Sequence, residues 1–168
     1  MSFSISRKAG ITILLLIVAV PILGGQRATD TGGGSIQDTW IDPQTSLQWT
    51  AADNGQDITY GHALQYCRNL RLGGYSDWRL PAIAELKGIY DGSGFNTPHK
   101  TGVVIALAGK ARGNIHLTGA REWSSDRVLD DRGHNSGYAW QYDFPHGGPW
   151  KDPLGYSGQL RALCVRHP

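Results

Sequence analysis

The chain contains only two cysteines, Cys67 and Cys164, and whether they pair decides much of how it folds. In an oxidising compartment the default for such a pair is a disulfide, which here would close a long loop. Loop-entropy models give a bridge of that span about 4–5 kcal/mol of stabilisation before any strain is subtracted. The alternative is two buried free thiols, so the compartment has to be inferred first.

The N-terminal segment indicates that the chain is exported. Two basic residues precede an apolar run at residues 9–23, and two glycines follow it. A basic start, a short apolar middle and small residues after it are typical of a signal peptide. The run is shorter than the roughly 20 residues of a membrane-spanning helix. We expect residues 1–25 to be a signal peptide or, alternatively, an N-terminal anchor, and the protein to be secreted, periplasmic or at the cell surface of a bacterium.

The charge of the exported part excludes some partners. The full chain has 16 basic and 14 acidic residues, but Arg7 and Lys8 lie in the export segment, which leaves no net charge. The overall charge therefore favours neither nucleic acid nor an anionic membrane surface. We expect membrane contact only through residues 9–23 if they are retained, a Gly-rich linker at residues 26–38, and one folded domain at residues 39–168.

The front of that domain predicts a hairpin and two helices. Apolar runs flank a turn at residues 42–45, which indicates a hairpin. Apolar residues at helical spacing between residues 60 and 70 predict a first helix with Cys67 on its buried face. A second helix is expected after Pro81, because proline suits the first helical turn.

The back of the domain predicts short strands among long loops. Regularity fades beyond Asp91, and two strand-like pieces follow at residues 137–144 and 159–166, with Cys164 in the second. Helices near the front and strands later give an α+β class.

The motif "GGYSDWRLP" at residues 73–81 combines two glycines, two aromatic residues, an acidic and a basic residue, and a proline. Those of interest are Gly73, Gly74, Asp77, Trp78, Arg79 and Pro81. The glycines permit a tight turn with positive φ. Tyr75 and Trp78 are large enough to cover the junction of the two helices, and the acidic and basic residues beside Trp78 can bond backbone groups that a loop leaves unpaired. We expect the motif to be structural and not a binding site.

Five motifs in order carry a resemblance to a known family. They are "TSLQWT", "YCRNLRLGGYSDWRLPAIAEL", "WSS", "AWQYDFPHG" and "LCVR". With these motifs, residues 40–166 resemble the Lcl C-terminal domain family, named for the last domain of a collagen-like Legionella adhesin. The resemblance implies a fold similar to C-type-lectin-like and formylglycine-generating-enzyme-like domains. It has two helices, a small antiparallel sheet, long irregular loops, and a disulfide from the first helix to the last strand, which Cys67 and Cys164 would form.

The chain departs from the family's pattern at two positions. Ala82 stands where a serine or threonine usually caps the second helix, which predicts a weaker helix start. Glu122 stands where an aromatic residue usually precedes "WSS", which places a charge where packing is expected.

The candidate binding region is the segment of residues 92–121, which contains no acidic residue. Its basic residues and histidines are His99, Lys100, Lys110, Arg112, His116 and Arg121. The family's adhesin binds sulfated glycosaminoglycans, and Lys110, Arg112 and Arg121 would attract such an anionic polysaccharide unless they are scattered over a solvated loop. Trp140 and Trp150 are candidates for stacking on sugar rings, with packing in the core as the alternative.

Metal binding and catalysis have little support in the sequence. Asp130, Asp131 and Asp143 are weak calcium candidates, because they lie in or near an oxygen-rich stretch. The histidines lack the helical spacing of a zinc pair, and no catalytic or phosphate-binding motif is present. We expect no catalytic residue, no metal beyond these calcium candidates and no other cofactor.

The sequence therefore predicts an exported, non-catalytic binding domain. Its expected ligand is a polysaccharide, a sulfated or anionic one included, or a surface protein. Two alternatives stay open: a membrane-anchored interaction or assembly protein that binds no glycan, and an enzyme of the formylglycine-generating branch. The oligomeric state is not determined by these patterns.

Overall fold

A computed structural model of the protein describes residues 38–92 and 111–168. The helices are α1 (Tyr60–Asn69) and α2 (Ile83–Gly88), and the strands are β1 (Thr39–Ile41), β2 (Gln48–Thr50), β3 (Arg121–Leu129), β4 (Asn135–Asp143), β5 (Gly148–Pro153), β6 (Leu160–Arg161) and β7 (Val165–Arg166). Within these ranges no helix is long and apolar enough to cross a membrane. The predicted export segment, nearly all of the predicted linker, and Lys110 lie outside the described residues.

The strands form two sheets, and the predicted α+β class is confirmed. One sheet has the order β1-β2-β7, and the other has the order β5-β4-β3-β6. Strands β3 and β6 run parallel, whereas the other neighbouring pairs are antiparallel. The expectation of one small antiparallel sheet is therefore wrong in two respects: there are two sheets, and the larger one is mixed.

The predicted hairpin is confirmed as β1 and β2. In its turn the carboxylate of Asp42 accepts hydrogen bonds from the N–H of Gln44 (3.1 Å) and the hydroxyl of Thr45 (2.6 Å). An aspartate that bonds its own following backbone in this way is a common turn former. The hairpin then receives β7 as its third strand, with Trp49 paired to Val165.

The core consists of two clusters. The first cluster is Leu47, Trp49, Leu86, Ile89, Ile115, Leu117, Tyr142, Phe144, Leu163 and Val165. The second cluster is Tyr60, Ala63, Cys67, Trp78, Leu80, Trp123, Ala139, Leu160, Ala162 and Cys164. Strand β4 contributes Tyr142 to the first and Ala139 to the second, so the larger sheet is buried on both faces over part of its area.

A disulfide joins Cys67 on the buried face of α1 to Cys164, with Cα atoms 5.5 Å apart. Cys164 directly precedes β7 and is not part of a strand. Residues 159–166 do not form the single strand that was predicted, because the N–H groups of Ala162 and Cys164 are bonded by the side chains of Asn54 (2.8 Å) and Thr50 (3.2 Å). These bonds interrupt the strand, and its halves join different sheets.

Two strands were missed by the sequence patterns. Strand β3 has nine residues but no clean alternation, because polar side chains such as Glu122 and Ser124 are buried in it beside Trp123. Strand β5 contains glycine and two prolines, which are typical of loops and, within sheets, of edge strands.

The "GGYSDWRLP" motif contributes to the core and to the contacts of β7. Gly73 and Gly74 have φ of 62° and 82°, as predicted. Trp78 is buried in the second cluster, and its indole N–H donates to the carbonyl of Leu72 (3.3 Å). The backbone of Arg79 exchanges two 2.9 Å hydrogen bonds with Val165. The motif thus links α1, α2 and the C-terminal strand.

The charged residues of the motif bond mainly charged side chains. Arg79 makes two 2.7 Å hydrogen bonds to the Glu85 carboxylate. Asp77 accepts a 2.7 Å hydrogen bond from Arg166, which lowers the pKa of Asp77. Tyr75 does not cover the helix junction: it is 42% exposed, and the Arg166 guanidinium lies 3.7 Å from its ring centroid. Stacking on an arginine lets the ring stay at the surface.

The start of α2 differs from the prediction. Pro81 lies before the N-cap residue and not in the first helical turn. Ala82 offers no capping side chain, but its own N–H donates to Glu85 (2.7 Å), and the N–H of Ile83 donates to Asp126 of β3 (2.8 Å). A carboxylate from a neighbouring strand therefore takes over the missing cap, which offsets the weaker helix start expected from Ala82.

We predict that the disulfide is a large part of the stability of the domain. Because the bridge restricts the unfolded chain over a long loop, its reduction should cost about 4–5 kcal/mol. Thermal unfolding with and without reductant measures the cost, and the unreduced protein should be lighter than the reduced one by two hydrogens. Two thiols that alkylate without reductant would contradict the prediction.

We predict that Trp78→Ala lowers the free energy of unfolding by about 3–5 kcal/mol, because it truncates a large buried side chain. Tyr75→Ala, an aromatic truncation in the same motif at a partly exposed position, should cost much less. Chemical denaturation of both variants with the disulfide intact measures the difference. Equal losses would show that burial does not distinguish the two positions.

Candidate functional site

A cleft of about 410 Å³ opens over β3, β4 and β5. Its lining residues are Arg121, Gln141, Asp143, His146, Trp150, Lys151 and Asp152. Ligand pockets in proteins measure about 300–1,000 Å³, so this volume suits a small group or one unit of a larger ligand. We call it the sheet cleft.

Strand register brings the side chains of the sheet cleft together. Gln141 of β4 is paired with Trp150 of β5, and Asp143 of β4 is paired with Arg121 of β3. Residues directly opposite each other in antiparallel strands have Cβ atoms about 4.5–5.5 Å apart on the same face. Residues far apart in the sequence therefore meet in one small area.

The turn between β4 and β5 forms one rim of the sheet cleft. The Oδ1 atom of Asp143 accepts the N–H of His146 (2.9 Å) and lies 2.8 Å from the Nδ1 of its ring. Gly147 has a φ of 67°, and a Cβ atom there would lie 2.6 Å from the Tyr90 ring. Only glycine suits this position, which holds His146 beside the opening.

The positive charge of Arg121 is largely matched by its neighbours. Its guanidinium lies 3.5 Å from the Asp152 carboxylate and donates to the carbonyl of Gly158 (2.9 Å). It also lies 5.8 Å from the ring centroid of Tyr156. Arg121 is therefore a bound, oriented cation and not a mobile one.

Two residues of the sheet cleft stand out for their exposure. Gln141 is only 1% exposed, and its Oε1 has no hydrogen-bond partner among the described residues. An unpaired buried acceptor costs the folded state about 1–3 kcal/mol. Trp150, directly opposite, is 60% exposed, so it does not pack in the core. Trp140 is half-buried and, by strand alternation, lies on the other face of β4 from Gln141.

The other predicted contacts lie elsewhere. The side chain of Arg112 donates to Gln44 in the β1–β2 turn (2.7 Å), and its N–H donates to the carbonyl of Ile89. Arg112 and Arg121 therefore have different surroundings, and the described contacts do not join them in one basic patch. Lys110, the third basic candidate, is outside the described residues.

The calcium candidates do not converge. Asp130 lies at the tip of the β3–β4 hairpin next to Asp131, and one of its oxygens accepts the N–H groups of Arg132 and His134. Asp143 is at the opposite end of β4. In the described ranges no three Asp, Glu, His or Cys residues are grouped to hold a metal ion.

Glu122, next to Arg121 in β3, is a buried carboxyl group without a conventional partner. It is fully buried, and neither oxygen has a hydrogen-bond partner within the described part of the chain. Burial, and then the nearby charge of Asp53, raise its pKa well above the usual value, although Arg161 acts in the opposite direction. Folding therefore favours the uncharged form of the Glu122 side chain.

Sequence reasoning missed most of the sheet cleft. It proposed Arg121, Trp150 and Asp143, the last only as a calcium candidate, but not Gln141, His146, Lys151 or Asp152. Two of the missed residues lie on β5, a strand that was not predicted. The other two lie in "AWQYDFPHG", where the sequence alone does not distinguish a buried amide or a histidine beside a cleft.

A disulfide-linked α+β domain with an open cleft and an exposed tryptophan suits a binding type of domain. The sequence model of the Lcl C-terminal domain matches residues 38–166, and the chain belongs to that family. Membership indicates an extracellular domain that acts by binding. A search of curated proteins found no matching sequence.

We predict that Glu122→Gln makes stability less dependent on pH. A carboxyl group whose pKa is raised by folding stabilises the fold fully below its unfolded pKa of about 4.3, and this contribution is lost as pH rises toward the folded value. The slope for one such group reaches about 1.4 kcal/mol per pH unit. Because glutamine resembles the protonated acid, the variant should equal the wild type near pH 4 and exceed it at pH 7 in chemical denaturation.

The matched control is Glu85→Gln. Although burial opposes it, bonding to Arg79 and to the N–H of Ala82 lowers the pKa of Glu85. Its contribution is present above the unfolded pKa and is lost as pH falls through the folded value. This variant should therefore be less stable than the wild type at pH 7 and approach it in acid. A loss at pH 7 for Glu122→Gln as well would show that Glu122 is charged in the folded protein.

Proposed function

We propose that this protein is an exported, non-catalytic binding domain that recognises an extracellular polysaccharide through the sheet cleft. The observation that carries the proposal is the exposed Trp150 among the charged side chains that line the sheet cleft. A flat apolar surface beside directional polar groups suits a sugar ring, which has apolar C–H faces and polar hydroxyl edges.

The composition of the sheet cleft supports binding over catalysis. Its lining residues include neither a serine nor a cysteine that could act as a nucleophile beside the Asp143–His146 pair. Both cysteines of the chain are joined in the disulfide. A formylglycine-type enzyme would need an active cysteine pair, so the structural bridge weighs against that alternative.

The arrangement of elements also supports a C-type-lectin-like fold as part of this proposal. It has two helices, short strands in small sheets, long connections, and a disulfide from α1 to the residue before the last strand. In such an arrangement the core is fixed, and surface connections such as the β4–β5 turn are free to determine the ligand.

We predict that Trp150→Ala weakens polysaccharide binding and leaves the fold intact, because the side chain is mostly exposed. A glycan array probed with residues 39–168 identifies a bound glycan, and titration calorimetry then compares wild type and variant. We expect a loss of affinity of roughly 5- to 150-fold, which corresponds to the about 1–3 kcal/mol that the stacking of a nucleic-acid base on an aromatic side chain contributes.

Tyr138→Ala is the matched control. Tyr138 is a partly exposed aromatic residue of β4 that, by alternation, lies on the opposite face from Gln141. Its loss should leave affinity unchanged. Equal binding by wild type and Trp150→Ala would move the binding site away from the sheet cleft, and an array without any bound glycan would favour a protein ligand.

A further inference from the structure

We infer that the sheet cleft selects an uncharged, hydroxyl-rich sugar and excludes sulfated or carboxylated ones. This inference rests on the proposed function and specifies its ligand class. It departs from the basic-segment prediction, in which Arg121 would attract an anionic polysaccharide.

The first argument is the supply of hydrogen-bond acceptors. The residues that line the sheet cleft include Asp143 and Asp152, whose carboxylates accept hydrogen bonds and donate none. A ligand that satisfies these groups has to donate hydrogen bonds, as sugar hydroxyl groups do. A sulfate ester or an ionised carboxylate has no proton to donate.

The second argument is charge. The two cations that line the sheet cleft, Arg121 and Lys151, are matched by Asp143 and Asp152, so the lining has no net charge while His146 is neutral. Arg121 already pairs with Asp152 and bonds the carbonyl of Gly158. An anionic group entering here would approach two carboxylates and would have to compete for a guanidinium that is already bound.

The third argument is that a neutral sugar can use all of these groups together. A hydroxyl group donates one hydrogen bond and accepts others. It can therefore donate to Asp143 or Asp152 while a neighbouring hydroxyl accepts from a cation. The ring can meanwhile lie against Trp150, whose indole is exposed directly opposite Gln141.

The test uses purified residues 1–168 or the processed protein, with dextran, mannan and galactan as neutral probes and heparin as the sulfated probe. Native gels that contain each neutral polysaccharide, and a heparin column at about 150 mM salt, measure binding. We expect at least one neutral polysaccharide to retard the wild type, Trp150→Ala to remove that retardation, and the wild type to pass through heparin.

A second variant is expected to gain heparin binding, which tests the role of the Arg121–Asp152 pair directly. Asp152→Asn removes the carboxylate that matches Arg121, so the freed guanidinium should retain the variant on heparin. That retention should disappear at about 1 M salt, where the Debye length falls to about 3 Å. Asp131→Asn is the matched control, because it makes the same charge change at the exposed hairpin tip, away from the sheet cleft. It should pass through heparin like the wild type.

The outcomes separate this inference from the proposed function. Wild-type retention on heparin that Trp150→Ala abolishes would overturn the selectivity for neutral sugars while supporting the sheet cleft as a glycan site. Neutral binding that Trp150→Ala does not change would overturn both, since the site would lie elsewhere. Equal heparin retention by Asp152→Asn and Asp131→Asn would overturn the role assigned to the Arg121–Asp152 pair.

Discussion

The covalent link between α1 and the residue before β7 is the constraint on which the rest of the fold depends. It fixes Val165, which pairs with Trp49 of the hairpin on one side and with Arg79 on the other. Folded domains are stable by about 5–15 kcal/mol, so a bond worth about 4–5 kcal/mol is a large share of the total. With so short a terminal strand, hydrogen bonds alone would hold this junction weakly. The "GGYSDWRLP" motif packs around the same junction through Trp78 and Asp77.

Around this fixed end the larger sheet is free to serve recognition. Its middle is buried on both faces by Trp123, Ala139 and Tyr142, which makes it rigid. Near the C-terminal end of β4 the sheet is no longer covered in this way. The sheet cleft opens there, and the backbone beneath it is held by the pairing of β4 with β5. A site on strands loses less conformational entropy on binding than one on mobile loops.

The sequence predicted those features that depend on local patterns. The hairpin, the buried face of α1 and the turn at Gly73 and Gly74 follow from spacing and turn chemistry, and all three are present. Strand β3 escaped prediction because its buried polar residues remove the alternation that marks a strand, and β5 because its prolines resemble a loop. The cap of α2 by Asp126 and the meeting of Gln141 with Trp150 depend on tertiary register. Contacts between residues that are distant in the chain produce no local pattern in a single sequence, so most of the candidate site could not be predicted.

Among the described residues β5 is the outer strand of its sheet, and this position determines how another backbone could pair with it. An exposed sheet edge is open to strand addition, by which peptides bind and proteins aggregate. Pro149 and Pro153 supply no N–H group, and proline on an edge strand usually turns its nitrogen to solvent. The edge therefore offers few donors to an incoming backbone. Trp150, placed between the two prolines, therefore lies on an edge where few backbone N–H groups of the described strand are free to pair with another chain.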